Sequence, residues 1–514
     1  GVFNIFWGLV ISSVMSAVGV MIVAGILSES EYGLVAVALT GPTLIASFRD
    51  WGVDWATIKY IAQYRSEGKE ANVKSVLVSI VFFEIVLGFS LSILSFFLSG
   101  FIANILGRPS IVPLVQIASF TIFAEALLKA AQAVFTGYEK MEYHSITSIV
   151  YSSLKTGFMI LLVIFGLGPF GATIGTTIAY LISGVISVIL LYIAIYKNLH
   201  AQDGSGKLEL FSTIKTLFRY GLPLSISSII SGFLTQFFGL LLAIYCTDLL
   251  MGNYQVALNF GFIITFFVMP IITVLLPAFS KLDSQKEGDT LGNVFQFSVK
   301  YASLIIVPIA FVVIALSQPG VSALFGAKYS YTPLYLALYA ATFIQTAFGY
   351  LSVDNILKSQ GKTDFNMKLG LTTSAIGLVL NLVLIPNFGV IGFLATCIVS
   401  GIPSLIIALW WIKKNFNATI DWRSSTKIVF ASALASAITY AVTSQLNMSS
   451  WISLAIGTVI FIVTYLIATP LVGAITQADV QNFKEMMKGY GPLSRIFNLL
   501  FSFIERLTTI FQRS

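Results

Sequence analysis

The chain has 514 residues, 57% of them hydrophobic and only 10% charged, against about 25% charged in an ordinary soluble domain. With a mean hydropathy of +0.90 it reads as a polytopic membrane protein, which excludes a soluble enzyme. The net charge of +7 excludes little by itself, but most Lys and Arg sit in short connections between apolar runs, so the excess reads as membrane topology rather than nucleic-acid binding.

Apolar runs of about 20 residues mark membrane-spanning helices. In chain order they fall near 3–27, 33–62, 75–99, 113–136, 144–166 and 171–196, and then near 219–246, 254–280, 297–316, 334–358, 366–385 and 390–412. A last pair lies near 427–446 and 452–472, which makes about 14 transmembrane helices in an all-α protein. The first run is too long for a signal-peptide core and is expected to be a retained span. Basic residues of the connections, among them Arg65, Lys140, Lys207, Lys281, Lys362 and Lys413, fall on one side, and only Arg108 and Lys328 on the other. By the positive-inside rule both termini are cytoplasmic, and the protein is a multi-pass component of the cell (inner or plasma) membrane. Past Val472 the composition turns amphipathic, as expected of helices over 478–488 and 493–513 lying on the cytoplasmic leaflet.

The chain repeats itself. Residues 169–198 match 386–415 at an offset of 386 − 169 = 217, placing Pro169 on Pro386, Gly175 on Gly392 and Lys197-Asn198 on Lys414-Asn415. A duplication of six spans plus six predicts two lobes that enter the membrane in the same direction, related by a pseudo-two-fold axis along the membrane normal, with a cleft between them. The domains expected are an N-terminal six-helix lobe (1–200), a cytoplasmic linker (201–218), a C-terminal six-helix lobe (219–415), two additional helices (427–472) and a cytoplasmic amphipathic tail (473–514).

The charges inside the spans need an explanation, because each costs roughly 2.5 to 3.5 kcal/mol on insertion scales. Arg49, Asp50 and Asp54 share the second span, Glu84 lies in the third, Glu125 and Lys129 in the fourth and Lys155 in the fifth. The repeat sets an uncharged stretch near Ile271 and Ile272 opposite Arg49 and Asp50, so the polar content is one-sided. On one continuous helix Arg49, Asp50 and Asp54 fall within roughly 140° of each other and face the cleft together. An Arg fork there suits phosphate or carboxylate, while a carboxylate such as Asp54, Glu84 or Glu125 suits a proton or sodium ion. Plainer readings stand beside these. Arg49 with Asp50 or Asp54 is also what a packing ion pair looks like, Glu125 and Lys129 are spaced to neutralise each other, and Lys59 is placed to snorkel. Lys155 needs a cavity or a partner such as Glu84 or Asp54. Lys300, Asp354 and Lys358 lie near span ends, where they can reach the headgroups. Cys246 and Cys397 read as small buried hydrophobes, and neither they nor His144 and His200 show metal-ligand spacing. No catalytic residue, metal or cofactor is expected.

EYGLVAVALT at 31–40, DWGVDWATIKYIAQYRSEGK at 50–69, GYEKMEYHSI at 137–146, LLPAFSKL at 275–282 and FGAKYSYTPLYL at 325–336 resemble, in order and spacing, polysaccharide transport proteins. These are the lipid-linked oligosaccharide flippases of the multidrug/oligosaccharidyl-lipid/polysaccharide superfamily. The resemblance implies two six-helix lobes around a cavity, alternating access, and a polyprenyl-linked oligosaccharide moved from the cytoplasmic to the outer leaflet. It makes Arg49 and Lys155 the foremost substrate contacts; Asp50, Asp54, Lys129 and Lys59 are the further charged residues expected along the cavity from their place in the spans. It also implies that the two extra helices form a groove for the lipid tail. Membrane lipids and a proton or sodium ion are the other partners expected, and the protein is expected to be monomeric. The alternative on the same fold is a proton- or sodium-coupled exporter of drugs or metabolites, against which the first span's lack of a carboxylate argues. A membrane glycosyltransferase or polymerase fits less well, since the external connections are short and the longest, 317–333, has no Asp or Glu. The chain has no GxxxxGK[ST] phosphate loop to support direct ATP drive.

Overall fold

A computed structural model describes residues 2–49, 51–199, 210–282, 288–445, 448–487 and 505. The described residues are helical, with no strand among them. The helices are α1 (Val2–Ile26), α2 (Glu29–Ala46), α3 (Val53–Ser66), α4 (Glu70–Phe97), α5 (Ser99–Ile105), α6 (Val112–Gly137), α7 (Met141–Leu162), α8 (Gly168–Ala194), α9 (Leu210–Tyr245) and α10 (Asp248–Phe260). They continue with α11 (Phe262–Ser280), α12 (Gly288–Phe325), α13 (Thr332–Ala341), α14 (Tyr350–Ser359), α15 (Thr363–Val399), α16 (Gly401–Phe416), α17 (Trp422–Gln445), α18 (Ser450–Val472) and α19 (Gln477–Met487).

The span expected at 33–62 is not one helix. The chain leaves α2 in a 3-10 turn over Ser47–Arg49 and re-enters helix at Val53 through Gly52, whose φ of 75° is left-handed. Only glycine takes that conformation without a Cβ penalty. The span expected at 334–358 breaks the same way, with a 3-10 stretch over Thr342–Phe348 and then Gly349 at φ 89°. The common face inferred for Arg49 and Asp54 from an unbroken helix is therefore lost. Asp50 lies outside the described residues.

Two further glycines reverse the chain. Gly168 (φ 52°, ψ −133°) and Gly389 (φ 55°, ψ −131°) share one unusual backbone conformation. After each, a glycine packs on the incoming helix: a Cβ on Gly171 would meet the Leu162 carbonyl, and one on Gly392 the Leu384 carbonyl. The two turns thus correspond at an offset of 389 − 168 = 221. Matching proline to proline, at 217, sets this turn four residues away, about one helical turn. A third pair of equivalent positions lies at the starts of α2 and α10, whose N-caps Ser28 and Thr247 share φ −72° and ψ 161°, each side chain accepting a backbone N–H.

Among the described residues ten helical segments are long and apolar enough to cross a membrane, or eleven when the bent pair Thr332–Phe348 and Tyr350–Ser359 is taken as one. Fourteen is not reached on that measure. Part of the difference is that Met141–Asn198 (58 residues) and Thr363–Phe416 (54 residues) each exceed twice the roughly 20 residues a crossing needs.

The chain forms two compact units, the first of Gly1–Phe262 with Ser374–Phe393, the second of Ile263–Thr373 with Leu394–Ser514. α9, α10 and the middle of α15 (Ser374–Phe393), which the repeat assigns to the second lobe, thus pack in the first unit. One core of the first unit gathers Ile61, Ile80, Val134, Phe135 and Leu217 from α3, α4, α6 and α9. In the second unit Phe279, Phe295, Ile356 and Ile412 form one core, and Leu304, Val307, Ile428, Ala474 and Val480 another. The last of these adds protein contacts at the start of the expected tail: α19 packs through Val480, and Asn482 donates to the Tyr301 hydroxyl at 2.9 Å. Lys300 does not snorkel but pairs with buried Asp479 at 2.6 Å. Asp354 and Lys358 pair with each other at 2.6 Å, both well exposed. The tail residues 488–504 and 506–514 lie outside the described residues. Cys246 is buried as expected, whereas Cys397 is exposed.

Candidate functional site

Arg49 closes the 3-10 turn after α2, and the break at Gly52 turns it into the first unit's bundle, where it is 8% exposed. Its Nε lies 3.5 Å from Glu84 Oε2 on α4, and its Nη2 lies 4.0 Å from Glu125 Oε1 on α6. Glu84 is almost fully buried, whereas the Glu125 side chain is 30% exposed. One guanidinium thus serves two carboxylates, of which one is locked in and the other is reachable. Breaking a buried pair is costly because it strands a charge, roughly 3 to 5 kcal/mol, so Arg49 and Glu84 form the fixed half of the cluster. With all three groups ionised the formal charge is −1, which a proton, a cation or exchange of Glu125 for an external anion would alter.

Lys155 reaches neither Glu84 nor Asp54. Its Nζ lies 5.9 Å from the ring of Tyr151, which packs on Tyr180 at 4.2 Å between centroids. Lys155 thus lies beside two packed tyrosines, one from α7 and one from α8. The pairing of Glu125 with Lys129 is replaced by the one with Arg49, and exposed Lys129 has no carboxylate within ion-pair distance among the described residues. Asp54 sits in the first turn of α3, where the helix dipole favours a carboxylate. Lys59 lies 3.9 Å from the Tyr220 ring and 4.4 Å from the Tyr60 ring, a cation–π contact that ties α3 to α9.

A second polar constellation was not singled out from the sequence. Arg108, between α5 and α6, donates from Nε to Asp248 at 2.5 Å, from Nη1 to the carbonyls of Leu106 and Ala243, and from Nη2 to that of Cys246 at 2.7 Å. It clamps the end of α9 and the start of α10. Beside it Asn253 donates to Glu29 Oε2 at 2.7 Å. There α2 and α10 cross with no room for side chains: a Cβ on Gly33 would lie 1.8 Å from the Asp248 carbonyl oxygen, and one on Gly252 2.0 Å from that of Glu29. A matching contact lies past the other end of α2, where a Cβ on Gly52 would lie 2.3 Å from the Gly221 oxygen and one on Gly221 2.2 Å from the Gly52 oxygen. The sequence held a signal for the clamp, since Arg108 is one of only two basic residues of the connections expected on the sparsely basic side of the membrane.

Comparison with known proteins adds an independent line. Residues 224–466 match the family described as lipid II flippase MurJ. An uncharacterized membrane protein of Methanocaldococcus jannaschii, MJ1068, is 24% identical over 403 residues, 75% of this chain and 78% of that one. The probable low-salt glycan biosynthesis flippase Agl15 of Haloferax volcanii is 20% identical over 272 residues, 53% of this chain and 57% of that one. Among solved structures, lipid II flippase MurJ in an inward closed conformation superposes with a TM-score of 0.70 at 18% identity, covering 90% of this chain and 97% of that one. That likeness shows a shared fold. Residues 1–283, more than half of the chain, match the polysaccharide biosynthesis protein family, and the chain belongs to that family.

Proposed function

We propose that the protein is a flippase that moves polyprenyl-linked oligosaccharide from the cytoplasmic to the outer leaflet by alternating access, and that Arg49 receives the anionic linkage of the substrate. The observation that carries the assignment of Arg49 is its double carboxylate shell, in which Glu84 is buried and Glu125 is partly accessible. A substrate phosphate offers the guanidinium fork two oxygens in place of the single long contact to Glu125. Glu125, released from Arg49, is then the group to take up a proton or sodium ion. Coupling is proposed there rather than at Asp54. Lys155, Lys129 and Asp54 are the further polar groups of the route, and Lys59 serves the contact with α9. The reading places both termini in the cytoplasm of a cell-membrane monomer. It requires no cofactor and no bond chemistry. Alternating access then proceeds by separating one glycine contact, Gly33 with Gly252 or Gly52 with Gly221, while the other holds.

Reconstituted translocation of a fluorescent polyprenyl-diphosphate oligosaccharide tests this. Arg49→Lys keeps the charge and removes the fork. The expected outcome is at least a roughly tenfold slower rate with an unchanged melting temperature, about 1.4 kcal/mol, near the low end of one hydrogen bond to a charged group. Wild-type translocation by Arg49→Lys would dismiss Arg49 as the anion site. Glu125→Gln should make the rate indifferent to proton and sodium gradients.

A further inference from the structure

α16 and α17 meet in a notch of about 230 Å³. Ile406, Leu409, Trp410 and Lys413, spaced as one stripe of α16, form one wall, and Ile420 and Trp422, leading into α17, form the other. An engineered apolar cavity of roughly 150 Å³ takes up benzene, so this notch has room for a length of hydrocarbon and is too apolar for a headgroup.

The notch lies where both helices change character. Ile402, Ile406 and Trp410 are exposed along α16 before it ends in Lys413 and Lys414, and Phe430 and Leu434 are exposed along α17 beyond Arg423 at its start. Apolar exposure giving way to tryptophan and then to lysine is the profile of a headgroup boundary. Lys413 and Lys414 are exposed and have no ion-pair partner among the described residues, and Lys414 lies 5.3 Å from the Trp410 ring. The nearest acid in sequence, Asp421, is occupied at the start of α17. It accepts from the Ser424 hydroxyl and from the backbone N–H groups of Arg423 and Ser424. Partial burial opposes its charge, but these hydrogen bonds and nearby Lys300 hold its carboxyl below the usual carboxylate range.

We propose that this notch is a binding site for one anionic phospholipid, an acyl chain lying between Trp410 and Trp422 and the headgroup phosphate on Lys413 and Lys414. Such a lipid joins the second lobe to the additional helices and is a resident of the protein, separate from the transported substrate. The inference is independent of the flippase reading.

Native mass spectrometry of the full chain, titrated with dioleoyl phosphatidylglycerol or dioleoyl phosphatidylcholine, tests it. The expected result is one phosphatidylglycerol retained selectively. Its apparent affinity should fall roughly tenfold in Lys413→Ala/Lys414→Ala, as expected for two basic groups on one headgroup. It should be kept in Lys413→Arg/Lys414→Arg and in the distant control Lys74→Ala, and reduced in Trp410→Ala. Equal retention of both lipids by the wild type would overturn the proposal, as would unchanged phosphatidylglycerol binding by the double alanine variant. Displacement of phosphatidylglycerol by a polyprenyl phosphate, abolished by the same double variant, would reassign the notch to the substrate and also overturn it. The arginine variant separates loss of the site from loss of the fold.

Discussion

Among the described residues two carboxylates answer the charge of Arg49 in its apolar bundle, and removing it takes the guanidinium from the buried carboxylate of Glu84. Arg49→Ala is therefore expected to destabilise the protein by about 3 kcal/mol, at the low end for a buried pair because Glu125 can reach solvent. Adding Glu84→Gln should restore part of that loss, about 1 kcal/mol or more, because residues in one charge network couple. Thermal denaturation of the four members of the cycle in detergent measures it, and a double variant no more stable than Arg49→Ala would show that Glu84 is not Arg49's partner. The sequence revealed that Arg49 is costly where it stands. It did not reveal the partners, because nearby Asp50 and Asp54 compete in any reading by spacing, while Glu84 and Glu125 reach Arg49 only through the packing of α4 and α6.

At the scale of elements, the breaks at Gly52 and Gly349 decide where side chains point. Hydropathy cannot find them, since glycine is common inside membrane helices and leaves the apolar run intact. The crossing of α2 and α10 is of the same kind. Gly33 and Gly252 allow backbone contact, and the Arg108 clamp seals it. Arg108 and Asp248 are 14% and 26% exposed, so losing the pair costs less than in a dry core, about 1 to 2 kcal/mol, or roughly a tenfold shift in opening. Buried Cys246, whose carbonyl Arg108 holds, is a native reporter. In a Cys397→Ser background, Arg108→Ala is expected to raise the rate at which a maleimide labels Cys246 about tenfold. An unchanged rate would mean that the clamp does not govern that end.

For the whole molecule, the compact units cut across the duplication. α9, α10 and residues 374–393 lie in the first unit, although the repeat places them in the second lobe. A fragment ending at residue 200 lacks Leu217 of α9, which completes the core around Ile61, Ile80 and Phe135. Expressed alone it is expected to be degraded, and co-expressed with residues 210–514 it is expected to persist, as an immunoblot of membranes will show. Equal survival of the lone fragment would mean that the first six helices fold as a body by themselves.

The membrane class, the all-helical fold and the family were legible in the sequence, because apolar run length, charge sparsity and ordered motifs are properties of the chain that burial does not alter. The tertiary structure decided what depends on contact between distant segments: that Arg49 binds Glu84 and Glu125, that Arg108 clamps α9 to α10, that Asp479 ties α19 to Lys300, and that the repeat is offset by 221 at its reversing glycines. A single helical turn of register separates the two repeat alignments, and only backbone conformation can tell them apart.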